Sequence, residues 1–367
     1  MTAITLDRLT KRYGETKALD GVSLDVAAGE TLVLFGRSGA GKTVLLRTIA
    51  GAVDPDAGRV LIGGEDVTGL APERRGLGMA FQNFALFPHM TAFDNIASPL
   101  TARRWGRERI ADGVERIARL LKIDHVLGHA PRALSNGQKQ RTALARALAA
   151  EPEVLLLDDP LRNVDAKLRF EMRLELPRLL ADRGATVLYV TQDYKEAMAL
   201  GDRIAVLEAG RVAQVGTPAD VYLAPASVAI ARLFGDPSIN LLDAVPERHG
   251  NGLRVTLSDR SVALDPGLAH AAGRACTLGV RPEAVRFSDE PGAIPVTIEA
   301  ETPLNEKTVT LVTTKRGREI LVSRPAGTPG PAAGEAGLAI DAKGAVLFDR
   351  ETGARIAPAR EGAEAAA

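Results

Sequence analysis

Two hydrophobic rhythms alternate along the chain, and the points where one gives way to the other mark its parts. Residues 2–26 alternate apolar and polar positions around turns at Tyr13-Gly14-Glu15 and Asp20-Gly21, which predicts antiparallel strands. The apolar run 31–35 predicts a buried strand, a helix-like stretch at 44–50 follows, and short strands are predicted at 59–62 and 77–81. From 90 to 149 the period lengthens to that of a helix, with Ile110, Val114, Ile117, Ala118, Leu120 and Leu121 at helical spacing. This predicts a helical insertion spanning about residues 88–152. Strand and helix then alternate, with strands at 154–157, 186–190 and 203–207, the pattern of a largely parallel sheet covered by helices. From 240 onward the rhythm shortens again, to alternations at 253–257, 275–280, 296–299, 308–312, 320–322 and 345–348 separated by Gly and Pro turns. That pattern predicts a small all-β domain of barrel type. The Ala/Glu-rich end, 357–367, has little to bury and is predicted to be disordered.

Composition adds bounds to this picture. At roughly 150 residues per domain, 367 residues make two or three domains. Lys+Arg and Asp+Glu both number 46, so the charge balance gives no reason to expect a polyanionic partner such as nucleic acid. The lone Cys276 has no intramolecular disulfide partner, as expected of a reducing compartment. No apolar run of about 18 residues and no charged segment followed by an apolar stretch is present, so neither a membrane span nor a secretory signal is expected. The expectation is a cytosolic chain, whose membrane role would come through a partner.

Two stretches carry chemistry. Residues 36–43 read GRSGAGKT, the G-x-x-x-x-G-K-[ST] loop, between the predicted strand 31–35 and the helix 44–50. In that context Gly36, Arg37, Ser38, Gly39, Ala40 and Gly41 turn backbone N–H groups toward one nucleotide phosphate. Lys42 adds a charge for the β/γ oxygens, and the Thr43 hydroxyl can ligate Mg²⁺. The second stretch, Val154-Leu155-Leu156-Leu157-Asp158-Asp159, is an apolar strand ending in two acids at the edge of the sheet where α/β proteins bind ligands. Asp158 is placed there to hold Mg²⁺ through water, and Asp159 to face the attacking water.

Leu134-Ser135-Asn136-Gly137-Gln138-Lys139-Gln140-Arg141 closely resembles the LSGGQ signature of the ABC-transporter ATPases. Taken by its residues alone, Ser135 is a helix N-cap. The resemblance implies that Ser135, Asn136, Gly137 and Gln138 cap ATP held by a second cassette. It further implies that Tyr13 stacks on adenine and that Gln82 touches Mg²⁺ and the attacking water. Residues 84–91 would then receive a membrane subunit, and Asp165, in Arg162-Asn163-Val164-Asp165, would lie at the dimer seam. Segments at 222–226, 235–240 and 279–283 resemble the carbohydrate-importer branch with its OB-type regulatory domain. The implied fold is α/β: a P-loop ABC ATPase domain at 1–236 with an antiparallel β subdomain and the helical insertion, then a small all-β OB-type regulatory domain at 237–356. The implied setting is the cytoplasmic face of the inner membrane, beside two permease subunits and, indirectly, a periplasmic or extracellular solute-binding protein.

Three positions depart from the family pattern. Asp159 stands where glutamate is usual, Gln192 where the switch histidine is usual, and Asn136 replaces a signature glycine. Aspartate is shorter by roughly 1.5 Å, and a misplacement of about 1 Å can cost about 100-fold in rate. Glutamine can donate a hydrogen bond but cannot carry a proton. ATP binding is therefore expected to survive while cleavage weakens, which makes the chain the degenerate member of an ATPase heterodimer. A slow, self-sufficient homodimer is the alternative. The expected cargo is a sugar, polyol or glycerol-phosphate-like solute, with polyamine, iron or sulfate as the alternative. A non-transport ABC ATPase is disfavoured by the C-terminal β domain.

Overall fold

The computed structural model describes residues 2–250, 252–258, 260–331 and 334–359. Most of the tail expected to be disordered, 360–367, lies outside these residues. The chain divides by its own contacts into two units, Met1–Pro218 and Ala219–Ala367.

In the first unit, β1 (Ile4–Tyr13) and β2 (Thr16–Val26) form the expected antiparallel pair. They are followed by β3 (Thr31–Phe35), α1 (Lys42–Ala50), β4 (Ala57–Ile62), β5 (Glu65–Asp66) and β6 (Leu77–Ala80). Helices α2 (Ala92–Ala102), α3 (Arg107–Leu120) and α4 (Asn136–Ala149) make up the helical insertion. The sheet then resumes through β7 (Val154–Asp158), α5 (Ala166–Arg183), β8 (Thr186–Thr191), α6 (Tyr194–Leu200), β9 (Arg203–Glu208) and β10 (Arg211–Gly216). A four-stranded antiparallel sheet has the order β2-β1-β4-β5, and a six-stranded sheet the order β10-β9-β3-β8-β7-β6. In the six-stranded sheet only the edge strand β10 runs antiparallel to its neighbour, and β3, β7 and β8 are buried along their whole length. Strands buried on both faces must be continuously apolar, which is why they read as runs rather than alternations.

Helix α1 sits between the two sheets. Leu45, Leu46 and Ile49 are fully buried in one cluster with Leu6 and Leu19 of the small sheet and Leu156 and Leu188 of the large one. Burial of each such side chain stabilises by about 1.5–3 kcal/mol. The helix stops at Gly51, whose φ of 76° closes the last turn in the left-handed region. A Cβ at Gly51 would lie 2.5 Å from Arg75 Nε. Arg75 fills that space for a reason: its buried guanidinium donates to the carbonyls of Thr48 (2.9 Å), Ile49 (2.8 Å), Leu70 (2.9 Å) and Thr68 (2.8 Å). Two of these are end carbonyls of α1 that have no partner within the helix.

The second unit begins with two short helices, α7 (Pro218–Leu223) and α8 (Val228–Ala231). Its strands are β11 (Asn240–Ala244), β12 (Glu247–His249), β13 (Gly252–Leu257), β14 (Arg260–Leu264), β15 (Cys276–Val280) and β16 (Val285–Phe287). They continue with β17 (Ile294–Pro303), β18 (Lys307–Thr314), β19 (Glu319–Pro325), β20 (Glu335–Ile340), β21 (Ala345–Asp349) and β22 (Arg355–Ile356). These form sheets β11-β15-β21-β22, β12-β13-β14 and β16-β20-β17-β18-β19 around one apolar cluster that includes Leu253, Val255, Leu278, Val312 and Leu338. The family resemblance implies a domain boundary after residue 236, whereas the contacts group 219–236 with the β unit. The cause is Arg281, whose buried guanidinium donates to the carbonyls of Tyr222 (2.9 Å), Ala231 (3.2 Å) and Phe234 and lies 4.0 Å from the centre of the Tyr222 ring.

Replacing Arg75 with methionine removes the side-chain donor of four backbone carbonyls, of which Thr48 keeps the Gly51 N–H at 3.1 Å. Arg75→Met is expected to lower stability by about 3–5 kcal/mol in urea denaturation, against under about 0.5 kcal/mol for the exposed neighbour Arg74→Met. Equal losses for the two variants would show that Arg75 does not anchor α1.

Candidate nucleotide-binding site

The loop between β3 and α1 is threaded through gaps that admit no side chain. A Cβ on Gly36 would sit 2.3 Å from the carbonyl oxygen of Leu207, and one on Gly41 2.3 Å from that of Ala18. Gly41 also has a φ of 104°, open in practice to glycine alone. Buried Ala40 accepts a hydrogen bond from Gly210 N–H at 3.1 Å, which pins the middle of the loop. Lys42 Nζ turns back into the loop and donates to the carbonyls of Gly36 (2.7 Å) and Arg37 (2.8 Å). Burial pushes the Lys42 ammonium below its ordinary pKa, while Asp159 and Asp158 oppose the shift.

Beside the loop, β7 ends in its two acids. The Thr43 hydroxyl donates to Asp158 Oδ1 at 3.3 Å. Burial raises the pKa of both carboxyls; for Asp158, Thr43, Arg47 and Lys42 oppose it, and for Asp159 chiefly Arg162. Asp159 has a φ of 51°, unusual for a non-glycine residue, and its N–H donates to the carbonyl of Val190 at 2.9 Å. A cavity of about 230 Å³ is lined by Ser38, Gly39, Gly41, Lys42, Thr43, Gln82, Asp158, Asp159 and Gln192 among others. Five residues of the loop, both acids, Gln82 and Gln192 therefore meet around one space, while Gly36, Arg37 and Ala40 of the loop do not line it.

The remaining candidates lie elsewhere in the unit. Tyr13 ends β1 half-exposed, with Lys11 Nζ 5.8 Å from its ring centre. Ser135 caps α4: its Oγ accepts from Gln138 N–H at 3.2 Å, and Gln138 Oε1 accepts from Ser135 N–H at 2.9 Å. Asn136 and Gly137 open the same helix, and a Cβ on Gly137 would lie 3.2 Å from the carbonyl oxygen of Asn163. Asp165 caps α5 by accepting from Leu168 N–H at 3.0 Å. None of Tyr13, Ser135, Asn136, Gly137, Gln138 or Asp165 lines the cavity.

Sequence reasoning passed over three groups that shape the site. Buried Gln140 donates from Nε2 to the Asp159 carbonyl at 2.7 Å and accepts from Asn163 N–H at 2.8 Å. It thus ties the signature helix to the second acid. Buried Glu196 accepts from Tyr189 Oη and Thr191 Oγ1, both at 2.9 Å, and Thr191 Oγ1 in turn accepts from Asp193 N–H at 3.0 Å. This network braces the turn that carries Gln192. Arg162, the third, lines the cavity with its guanidinium 3.7 Å from Asp159 Oδ2. The spacings Gln138/Gln140 and Thr191/Glu196 were visible in the sequence, but only the fold shows where those side chains end.

Comparison with known proteins gives the family. The sn-glycerol-3-phosphate import ATP-binding protein UgpC of Escherichia coli O157:H7 is 40% identical over 361 residues, 97% of this chain and 100% of that protein. The chain belongs to the ABC-transporter ATPases. The same-named protein of Yersinia pseudotuberculosis is 43% identical to this cassette over 300 residues, 81% of this chain and 84% of that protein. The ABC transporter family matches residues 19–162, the MalK OB fold domain 235–285 and the TOBE domain 278–348. Among solved structures, MJ0796, a bacterial ABC transporter cassette described as dimeric, superposes with a TM-score of 0.56 at 32% identity, covering 59% of this chain and 98% of that one. The fold is therefore the α/β ABC ATPase domain followed by an all-β, OB-type domain.

The donor set of the cassette fits a nucleotide with its magnesium ion. Among the described residues no group of three or more His, Cys, Asp or Glu could hold a metal unaided. One hydroxyl and one carboxylate, Thr43 and Asp158, converge at 3.3 Å. Mg²⁺ is characteristically held by one or two protein oxygens together with substrate phosphates, which suits that sparse set.

Gln140→Leu keeps the volume of the side chain, leaves the Asn163 N–H unpaired and leaves the Asp159 carbonyl with only the longer bond from Arg162 N–H at 3.3 Å. It is expected to destabilise the cassette by about 2–3 kcal/mol in chemical denaturation. A loss under about 0.5 kcal/mol would mean that water replaces both bonds.

Proposed function

We propose that this chain is the ATP-binding subunit of an importer for sn-glycerol-3-phosphate or a chemically similar sugar or polyol phosphate. One observation carries the reading: Lys42, Thr43, Gln82, Asp158, Asp159 and Gln192 share a cavity in a chain 40% identical, over its whole length, to a protein named for that import. ATP phosphates occupy the loop, where the N–H groups of residues 36–43 and the Lys42 ammonium meet the β- and γ-oxygens. Lys42 now spends its protons on two carbonyls, and an arriving phosphate offers a stronger, charged acceptor. Thr43 and Asp158 hold Mg²⁺, with Gln82 alongside. When bound, that ion offsets phosphate charge during transfer.

Asp159 faces the attacking water, and its raised pKa suits a general base. Its short side chain and the uncharged Gln192 make cleavage slow, while Tyr13 stacks on the adenine ring. Ser135, Asn136, Gly137, Gln138 and Asp165 serve a second cassette, which is why they stand outside this cavity. The OB-type domain is regulatory. The subunit works at the cytoplasmic face of the inner membrane with two permease subunits and a solute-binding protein, and no described helix is long and apolar enough to cross a membrane.

The permease surface is the groove of about 730 Å³ beside Phe87, lined also by Leu77, Phe81, Ala85, Pro99 and Arg146. Asn95 fixes its rim by accepting from Phe87 N–H at 2.8 Å and donating to the Phe87 carbonyl at 3.1 Å. Arg146 lies 5.5 Å from the Phe87 ring centre and donates to the Ala85 carbonyl at 2.8 Å.

The second cassette is a different, competent ATPase if Asp159 and Gln192 silence this site. A second copy of this chain is favoured instead by the dimeric form of the similar cassette MJ0796. Hydrolysis by the purified chain, alone and then mixed with permeases and any co-purifying ATPase, separates the two. Asp159→Glu combined with Gln192→His is expected to raise turnover of the chain alone by about tenfold or more. Unchanged turnover would place the lesion elsewhere, and fast turnover by the unaltered chain would end the slow-site reading.

A further inference from the structure

The cavity wall holds a cation that neither the phosphate loop nor the metal set uses. Arg162 follows the two acids by three residues, and its backbone is fixed. Its N–H donates to the Asp159 carbonyl at 3.3 Å, and its own carbonyl accepts from Arg169 at 3.1 Å. The adjoining Asn163 N–H is held by Gln140 at 2.8 Å. The side chain, by contrast, is about half exposed, and among the described residues its one ion pair is Asp159 Oδ2 at 3.7 Å, beyond hydrogen-bond reach. A pair that long and that wet adds little to stability, so it does not account for a guanidinium at this place. The other cation of the cavity, Lys42, is buried and committed to two carbonyls of its own loop. Arg162 is the one with N–H donors to spare, beside the carboxylate that faces the far end of a bound triphosphate.

We infer that Arg162 is a contact for the terminal phosphate of a nucleoside triphosphate and makes this site discriminate ATP from ADP. The inference rests on the nucleotide-binding reading above. A guanidinium presents paired, planar donors that match two phosphate oxygens, whereas a lysine in its place would give a single point charge. The contact needs only a rotation of the side chain away from Asp159, because the backbone already stands at the wall. With ADP no oxygen reaches this far, and Arg162 stays on Asp159. Arg162 thus helps to hold ATP in a site whose cleaving groups, Asp159 and Gln192, are weak.

Calorimetric titration of the full chain with Mg²⁺ and either adenylyl imidodiphosphate or ADP tests this without hydrolysis. Arg162→Ser is expected to weaken the triphosphate analogue about tenfold or more and to leave ADP within about twofold, with Arg162→Lys in between. Parallel weakening of both nucleotides, or an unchanged ratio, would overturn the assignment while leaving the nucleotide site intact. An unaltered chain that binds neither nucleotide would overturn the site itself, and the inference with it. Because the side chain is half exposed, thermal unfolding of both variants should match that of the unaltered chain.

Discussion

The first unit depends on how closely its phosphate loop can approach the strands around it. Gly36 lies against the end of β9, and Gly41 against a carbonyl of β2, both at distances that a single methyl group would violate. The loop therefore holds the two sheets in register as much as the sheets hold the loop. Within it, the Lys42 ammonium donates to the carbonyls of Gly36 and Arg37. Helix α1 extends this hold outward: its apolar face packs against both sheets, and Arg75 donates to carbonyls at its far end. A substrate-sized hollow is what remains when a tight backbone turn, a buried cation and two buried acids are all brought to one sheet edge.

Features set by near neighbours in the chain were legible in the sequence. The buried strands, the helix after the loop and the cap at Ser135 follow from runs and spacings of a few residues, whereas the cap that Asp165 forms on α5 was not read from them. The helical stretch at 90–149 holds three α-helices, with the chain turning after α2 at Arg104 (φ 58°) and after α3 at Lys122 (φ 53°). Strand β20 was missed because Gly337 and two alanines give it the look of a turn. The glycine is there because a Cβ would meet the Ser288 carbonyl at 2.3 Å. Arg75, Gln140, Glu196 and Arg281 could not be foreseen, since what matters is which distant carbonyls, hydroxyls or N–H groups they meet. Their side chains look like ordinary surface polarity until the fold buries them.

Holding a nucleotide and cleaving it make different demands on the same cavity. The grip is distributed over backbone N–H groups, an ammonium and a hydroxyl, so no one side chain decides it. In the function proposed above, cleavage depends instead on two single side chains, Asp159 and Gln192. Asp159 is held in an unusual backbone conformation, with its N–H and its carbonyl both bonded, so its main chain has little freedom to move.

Gln140 joins helix α4 to the turn that follows β7. Its helix opens with the Ser135 cap, while its amide holds the carbonyl of the second acid. Any displacement of α4 is therefore felt at Asp159 within one hydrogen bond, with no need for a longer relay.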